Sequence, residues 1–139
     1  MVLIKLLQAL LDSRGIDYIQ RGDDTLHMTL GAGSRVWQVT AVADGEGFLR
    51  YYAKYPMNVP EEKVQPLLAV MNRRNAALRA GCFLIADGAP IFRYGVYIFD
   101  EFTAAESVAD LFAVATAQTA AAWDEIASAL SPLGMKESR

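Results

Sequence analysis

The stretch Met57-Asn58-Val59-Pro60-Glu61-Glu62-Lys63-Val64-Gln65-Pro66-Leu67-Leu68-Ala69-Val70-Met71-Asn72-Arg73-Arg74-Asn75-Ala76-Ala77-Leu78-Arg79-Ala80-Gly81 decides the fold. It reads as a central helix, entered after Val59-Pro60 and ended at Gly81, with strand-like sequence on both sides. Pro60 suits a first helical turn, where its missing N–H costs nothing, and Glu61 and Glu62 lie where the positive end of the helix dipole favours acids. Val64, Leu67, Leu68, Met71, Asn75 and Leu78 recur at spacings of three and four, which places them on one packed face. Pro66 inside this pattern predicts a kink or a second start at Gln65. Asn75 lies within the apolar stripe and Asn72 three residues before it. A buried amide must find partners, so both are read as structural polar supports that tie the helix to nearby backbone. Arg73 and Arg74 are read as pointing to solvent.

Upstream, the period changes. From Ile16 to Tyr55, short runs rich in Val, Ile, Thr, Trp, Phe and Tyr are separated by Arg21-Gly22-Asp23-Asp24, Gly31-Ala32-Gly33-Ser34 and Asp44-Gly45-Glu46-Gly47, all turn compositions. This predicts an antiparallel meander, with Trp37, Val39, Ala41 and Ala43 sharing one face and Leu49, Tyr51, Ala53 and Tyr55 sharing another. Ahead of it, Val2, Leu3, Leu6, Leu7, Leu10 and Leu11 form the stripe of an amphipathic helix that Gly15 ends. Lys5 interrupts the apolar run and Asp12-Ser13-Arg14 follows it, unlike a signal peptide.

Downstream, Asp87-Gly88 is a strong turn signal between Cys82–Ala86 and Ile91–Phe99, predicting a hairpin that extends the sheet. Gly95 within the second strand implies a close approach by something. Thr103-Ala104-Ala105-Glu106 fits a capping box. The helix it opens carries Val108, Leu111, Phe112, Ala115, Thr119, Ala122, Trp123, Ile126 and Leu130 as a long stripe, with no charge between Leu111 and Trp123. Its back is Ala113, Val114, Ala117, Ala120 and Ala121, so that side is either covered by the chain or meets a second molecule.

A helix opened by Val59-Pro60-Glu61-Glu62, carrying Asn72-x-x-Asn75 and followed by a two-stranded segment and a long helix, resembles the bacterial YbjN-like family. The resemblance covers about Met57 to Leu130, with a similar order of elements upstream. That family is grouped by name with sensory transduction regulators and is similar in fold to type III secretion chaperones. The resemblance implies a small α+β domain, often a homodimer, that binds other proteins; it carries no catalytic residues.

Composition narrows the function classes. A chain of 139 residues at 53% hydrophobic can bury a core without disulfides or metals. A formal charge of −3 argues against nucleic-acid binding by direct electrostatics. Cys82 has no partner for an internal disulfide, as suits a reducing cytoplasm, and reads as an inert core thiol. No segment has the length of about 18 or more apolar residues that spans a bilayer, so no membrane association is expected. Gly31-Ala32-Gly33 lacks the further glycines and the following helix of a dinucleotide loop. His27 has no second candidate metal ligand at useful spacing. Asp23, Asp24, Asp44 and Glu46 lack the alternation of a calcium loop.

The expected architecture is an α+β fold, an antiparallel β-sheet flanked by helices in the order α-β-β-β(-β)-α-β-β-α, over 1–131, with a polar tail over 132–139. The leading functional expectation is a non-enzymatic, cytoplasmic protein-binding module, chaperone-like or regulatory, paired with itself and taking an unidentified protein partner. No catalytic, metal or cofactor residues are assigned. Val114, Ala117, Gln118, Ala121, Tyr51 and Tyr55 are the candidate interaction or dimer surface, supported by Asn72 and Asn75. The alternatives are a small-ligand sensor with Tyr51, Tyr52, Tyr55, Arg50 and Lys54 around a pocket on the sheet, and an enzyme, for which convergent polar groups are lacking.

Overall fold

The computed structural model describes residues 2–131; the tail expected over 132–139 lies outside the described residues. The elements run α1 (Leu3–Ser13), β1 (Tyr18–Arg21), β2 (Thr25–Ala32), β3 (Arg35–Ala43), β4 (Phe48–Lys54), a single 3-10 turn (Glu61–Lys63), α2 (Val64–Ala77), β5 (Cys82–Ala86), β6 (Ala89–Tyr97) and α3 (Ala104–Leu130). The strands form one antiparallel sheet in the order β1-β2-β3-β4-β6-β5. This is the expected α+β arrangement with its fourth strand present.

Local chemistry explains most boundaries. At the end of α1, Gly15 takes φ +66°. Its N–H bonds the carbonyl of Asp12 at 3.1 Å while Ile16 N–H bonds that of Leu11 at 2.9 Å, the paired closure of a Schellman motif. Asp87 and Gly88 both have positive φ, as a two-residue hairpin turn with the right twist requires. The second start expected at Gln65 appears one residue earlier, at Val64. The chain makes the 3-10 turn first and starts α2 at Val64, so Pro66 falls in the first turn, where its absent N–H would have had no partner. That helix ends at Ala77, with Leu78 already extended, four residues before the expected Gly81.

One expected cap does not form. Thr103 precedes α3 with φ −109° and ψ 4° rather than an extended backbone, so its hydroxyl makes no capping bond. Its carbonyl still accepts from Ser107 N–H at 2.9 Å, and Asp100 Oδ1 accepts from Phe102 N–H just upstream.

Sheet order follows from how the chain leaves β4. Tyr55 N–H donates to the Pro90 carbonyl at 3.1 Å and Val59 N–H to that of Gly88 at 2.9 Å, so the connector runs beside the β5–β6 turn. This seats β6, not β5, against β4. Register then aligns rows of side chains across the sheet. Tyr18, Met28, Val39, Ala53, Phe92 and Phe83 form one row on the covered side, and Ile19, His27, Thr40, Tyr52, Arg93 and Cys82 form the adjoining row on the other.

All three helices lie on the first side. Leu7 and Leu11 of α1, Leu67 and Met71 of α2, and Leu111, Phe112, Ala115, Ala122 and Ile126 of α3 share one buried cluster with Trp37, Val39, Leu49, Tyr51 and Phe92. Each large apolar side chain removed from water there contributes about 1.5–3 kcal/mol before entropy is counted. The opposite side of the sheet has no helix over it among the described residues.

Asn75 joins α2 to β5. Its Nδ2 donates to the Phe83 carbonyl at 3.0 Å and its Oδ1 accepts from Phe83 N–H at 2.7 Å. The expected support role holds for Asn75 but not for Asn72, which is exposed. Successive residues are 100° apart around the helix, so Asn72, next after the buried Met71, is turned well away from the core.

Asn75→Ala is expected to lower stability by about 1–3 kcal/mol, since two backbone groups of Phe83 lose their partner. Asn72→Ala should stay within about 0.5 kcal/mol of the parent. Urea midpoints of the two variants check this, and equal midpoints would show that the amide clamp contributes nothing.

Candidate functional site

Two faces of the molecule are open. The first is the outer side of α3, where Ala113, Val114, Ala117 and Ala121 are exposed at helical spacing between the exposed carboxylates of Asp110 and Asp124. Val114 is 42% exposed. Gln118 is half-buried and, with Val114, lines a hollow of about 440 Å³ whose other walls include Ala77, Leu78 and Tyr94. No described part of the chain covers this stripe. Val114, Ala117, Gln118 and Ala121 are therefore brought together on one surface.

The stripe is braced from α2. Arg74 Nη2 donates to the Ala121 carbonyl at 3.0 Å and its Nε to Glu125 Oε1 at 2.9 Å, while Arg73 pairs with Glu125 Oε2. Arg73 and Arg74 are thus not simply solvated. Hydrogen bonding from Arg73, reinforced by Arg74, holds the Glu125 carboxyl below its ordinary value against a smaller effect of burial.

Tyr51 and Tyr55 are not on this surface or any other: both have zero exposure. Tyr55 Oη donates to the Thr119 carbonyl at 2.7 Å, Trp37 Nε1 donates to Tyr51 Oη at 3.2 Å, and Thr116 Oγ1 lies 3.5 Å from Tyr51 Oη. Phe112 stands edge-on to Tyr51 with centroids 5.3 Å apart, and Trp123 lies 5.7 Å from Tyr55. Burial pushes both phenols above their ordinary pKa. Their place in the contact surface is corrected accordingly: the alternation puts them under α3. The same alternation dissolves the ligand pocket drawn around Tyr51, Tyr52, Tyr55, Arg50 and Lys54, because the two buried tyrosines and the other three residues point to opposite sides of the sheet.

The second face is the open side of the sheet. Gly95 answers there to Phe48: a Cβ on Gly95 would lie 2.6 Å from Phe48 Cζ, so the tip of the ring takes the space a side chain would need. Phe48 also meets Tyr97 at 4.6 Å, and the Arg50 guanidinium sits 5.2 Å from the Phe48 ring. Tyr97 stacks on Phe99 at 5.7 Å, and Phe99 and Phe102 are 87% and 98% exposed. Two hollows open on this side and share Tyr52 and Arg93. One, of about 410 Å³, includes Phe48, Arg50, Cys82 and Gly95 in its walls, and the other, of about 340 Å³, includes Lys54, Leu84 and Ile91. His27 Nδ1 lies 3.1 Å from Thr40 Oγ1 in the middle of the same face.

Such surfaces offer aromatic, aliphatic and cationic contacts. Among the described residues no group of three or more His, Cys, Asp or Glu could hold a metal ion, and no described helix is long and apolar enough to cross a membrane. The aromatic cluster around Gly95 was signalled by a glycine inside a strand, but its occupant, Phe48, is set by cross-strand register.

Comparison with known proteins adds the lineage. The model of the YbjN family, described as "Putative bacterial sensory transduction regulator", matches residues 4–128. No curated protein matches. Among solved structures, the chain is similar to the crystal structure of YbjN from E. coli, titled "a putative transcription regulator", at 15% identity and a TM-score of 0.55, covering 96% of this chain and 93% of that one. At that identity the likeness is one of fold.

The Glu125 bridge has a defined pH dependence. Its folded pKa is depressed, so its contribution is complete above the unfolded carboxylate value of about 4.3 and disappears as pH falls through the lower folded value. With both partners partly in solvent, the bridge is worth up to about 1 kcal/mol. Glu125→Gln should lower the melting temperature at pH 7 and converge on the parent as pH falls through the depressed folded value of Glu125; a pH-independent difference would contradict the bridge.

Proposed function

Because the chain belongs to the YbjN family of bacterial regulators, we propose that it is a non-enzymatic protein-binding module with a regulatory or chaperone-like role, working in the cytoplasm as a homodimer. The observation that carries this reading is the uncharged stripe of Ala113, Val114, Ala117 and Ala121, left in solvent along roughly two turns of α3. Surface helices ordinarily carry charge on the side away from the core. Here the charges stop at Asp110 and Asp124, at either end of the stripe, which is the pattern of a contact with a dry centre and a polar rim.

The small side chains favour a second copy of the same helix. Alanines let two backbones approach closely, and a twofold axis across α3 would place Val114 of one chain beside the hollow lined by Gln118, Leu78 and Tyr94 on the other. The α2 braces to Ala121 and Glu125 hold the stripe rigid before contact, so little ordering is left for association to supply. The unpaired thiol of Cys82 accords with a reducing compartment.

Light scattering across a dilution series should give twice the chain mass of 15.2 kDa. Val114→Asp should weaken the pair by roughly a hundredfold or more, because an unpaired carboxylate would be buried at its centre, while the helix itself stays folded. A wild type that is monomeric at every concentration removes the homodimer.

A further inference from the structure

The six strands contain no aspartate or glutamate. Among the described residues every acid lies in a helix, turn or loop, whereas the strands carry Arg21, Arg35, Arg50, Lys54 and Arg93. Arg35 is on the covered side, where it pairs with Asp124. The other four belong to the open side, so every charge the strands present there is positive, in a chain whose formal charge is −3. We propose that this open sheet face is a docking site for an acidic segment of a partner protein, bound in extended form along β4. The proposal rests on the protein-binding reading above and names the partner's chemistry.

Spacing and shape support an extended peptide. Along β4, Arg50, Tyr52 and Lys54 alternate outward, so cation, aromatic and cation succeed one another at about 7 Å. Arg93 is the direct cross-strand neighbour of Tyr52 and supplies a third positive group beside the ring. The two hollows lie on either side of this pair, and their walls include Phe48, Leu84 and Ile91. An extended chain with carboxylates at every fourth residue and an apolar side chain midway between them would turn both kinds toward the sheet, setting acids on Arg50 and Lys54, with Arg93 beside them, and its apolar groups at the hollows. Asp44 lies 4.0 Å from Arg50 and Asp87 rims one hollow, so the positive field ends where the strands end.

Other occupants fit less well. A second copy laid face to face would bring cations against cations, so the self-contact belongs to α3 instead. A nucleic-acid strand would run its phosphates beyond the trough into the acidic turns at Asp44 and Asp87, and part of the lining is aliphatic rather than a stacking platform.

The test uses the whole 139-residue chain and a fluorescein-labelled peptide of about ten residues in which every second position is glutamate and leucine in turn, with serine at the positions between, long enough to follow β4. Controls are the same peptide with glutamine for glutamate and a single-stranded DNA of similar length. Anisotropy should show binding of the acidic peptide at low salt that weakens as salt is raised, and at least about tenfold weaker binding of the glutamine peptide and by the double variant Arg50→Gln with Arg93→Gln. Both arginines are exposed, and the salt series on the wild type gives the same reading without any variant. Val114→Asp should bind the peptide as the wild type does, so loss of the dimer and loss of docking are read separately. Absence of acidic-peptide binding, binding indifferent to salt and to both arginines, or tighter binding of the DNA would each overturn the proposal.

Discussion

A phenol hydroxyl taken out of water has to be answered by a partner, and β4 carries two of them into the core. Tyr55 finds the Thr119 carbonyl, and Tyr51 finds the Trp37 indole with Thr116 beside it. The first answer, and the Thr116 contact of the second, depend on α3 lying at one height and one rotation over the sheet. A slip of one residue would strand the Tyr55 hydroxyl, at a cost of about 1–3 kcal/mol. The ring contacts with Phe112 and Trp123 add shape to the same constraint. With α3 fixed across the middle of the sheet, α1 packs beside it at one end and α2 at the other. All helical cover is thereby committed to one side.

That commitment creates the open face. A six-stranded sheet in a chain of this length cannot be covered on both sides by three helices already packed on one, and the exposed side accordingly mixes threonine, glutamine and cations with aromatic stems. The two open surfaces differ in kind. The outer side of α3 is small, uncharged and braced by Arg74, whereas the sheet face is positive, aromatic and hollowed on both sides of Tyr52 and Arg93. Pairing through α3 and docking on the sheet, as proposed above, would use opposite sides of the same helix and strand layers.

Much of this was legible in the sequence because it is periodic or local. Alternation in β3 and β4 gives the correct faces, Asp87-Gly88 gives the turn, Gly15 gives the end of α1, and Asn75 in an apolar stripe gives a polar clamp. The family resemblance carried by Val59–Glu62 and Asn72-x-x-Asn75 matches the family found. Contacts at long range were not legible. Glu125 meets Arg73 and Arg74 from across some fifty positions, with nothing local to mark it. Tyr51 and Tyr55 read as surface groups because a tyrosine is equally at home at an interface or in a core, and only the presence of α3 above them decides. Thr103 and Glu106 have the letters of a capping box, yet the backbone before α3 is turned away by the preceding loop.

Asn75 holds a further meaning for the sheet's border. β5 is an outermost strand, and the N–H and carbonyl of Phe83 point away from β6, where a newcomer strand would take hold. The amide of Asn75 already fills both positions, acting as one residue of a missing seventh strand. The rim of the sheet at Phe83 is therefore closed to templated growth, and visitors to this side of the molecule are left with its faces. A single side chain on the central helix thus guards one of the sheet's two borders, at the position where a newcomer strand would otherwise pair.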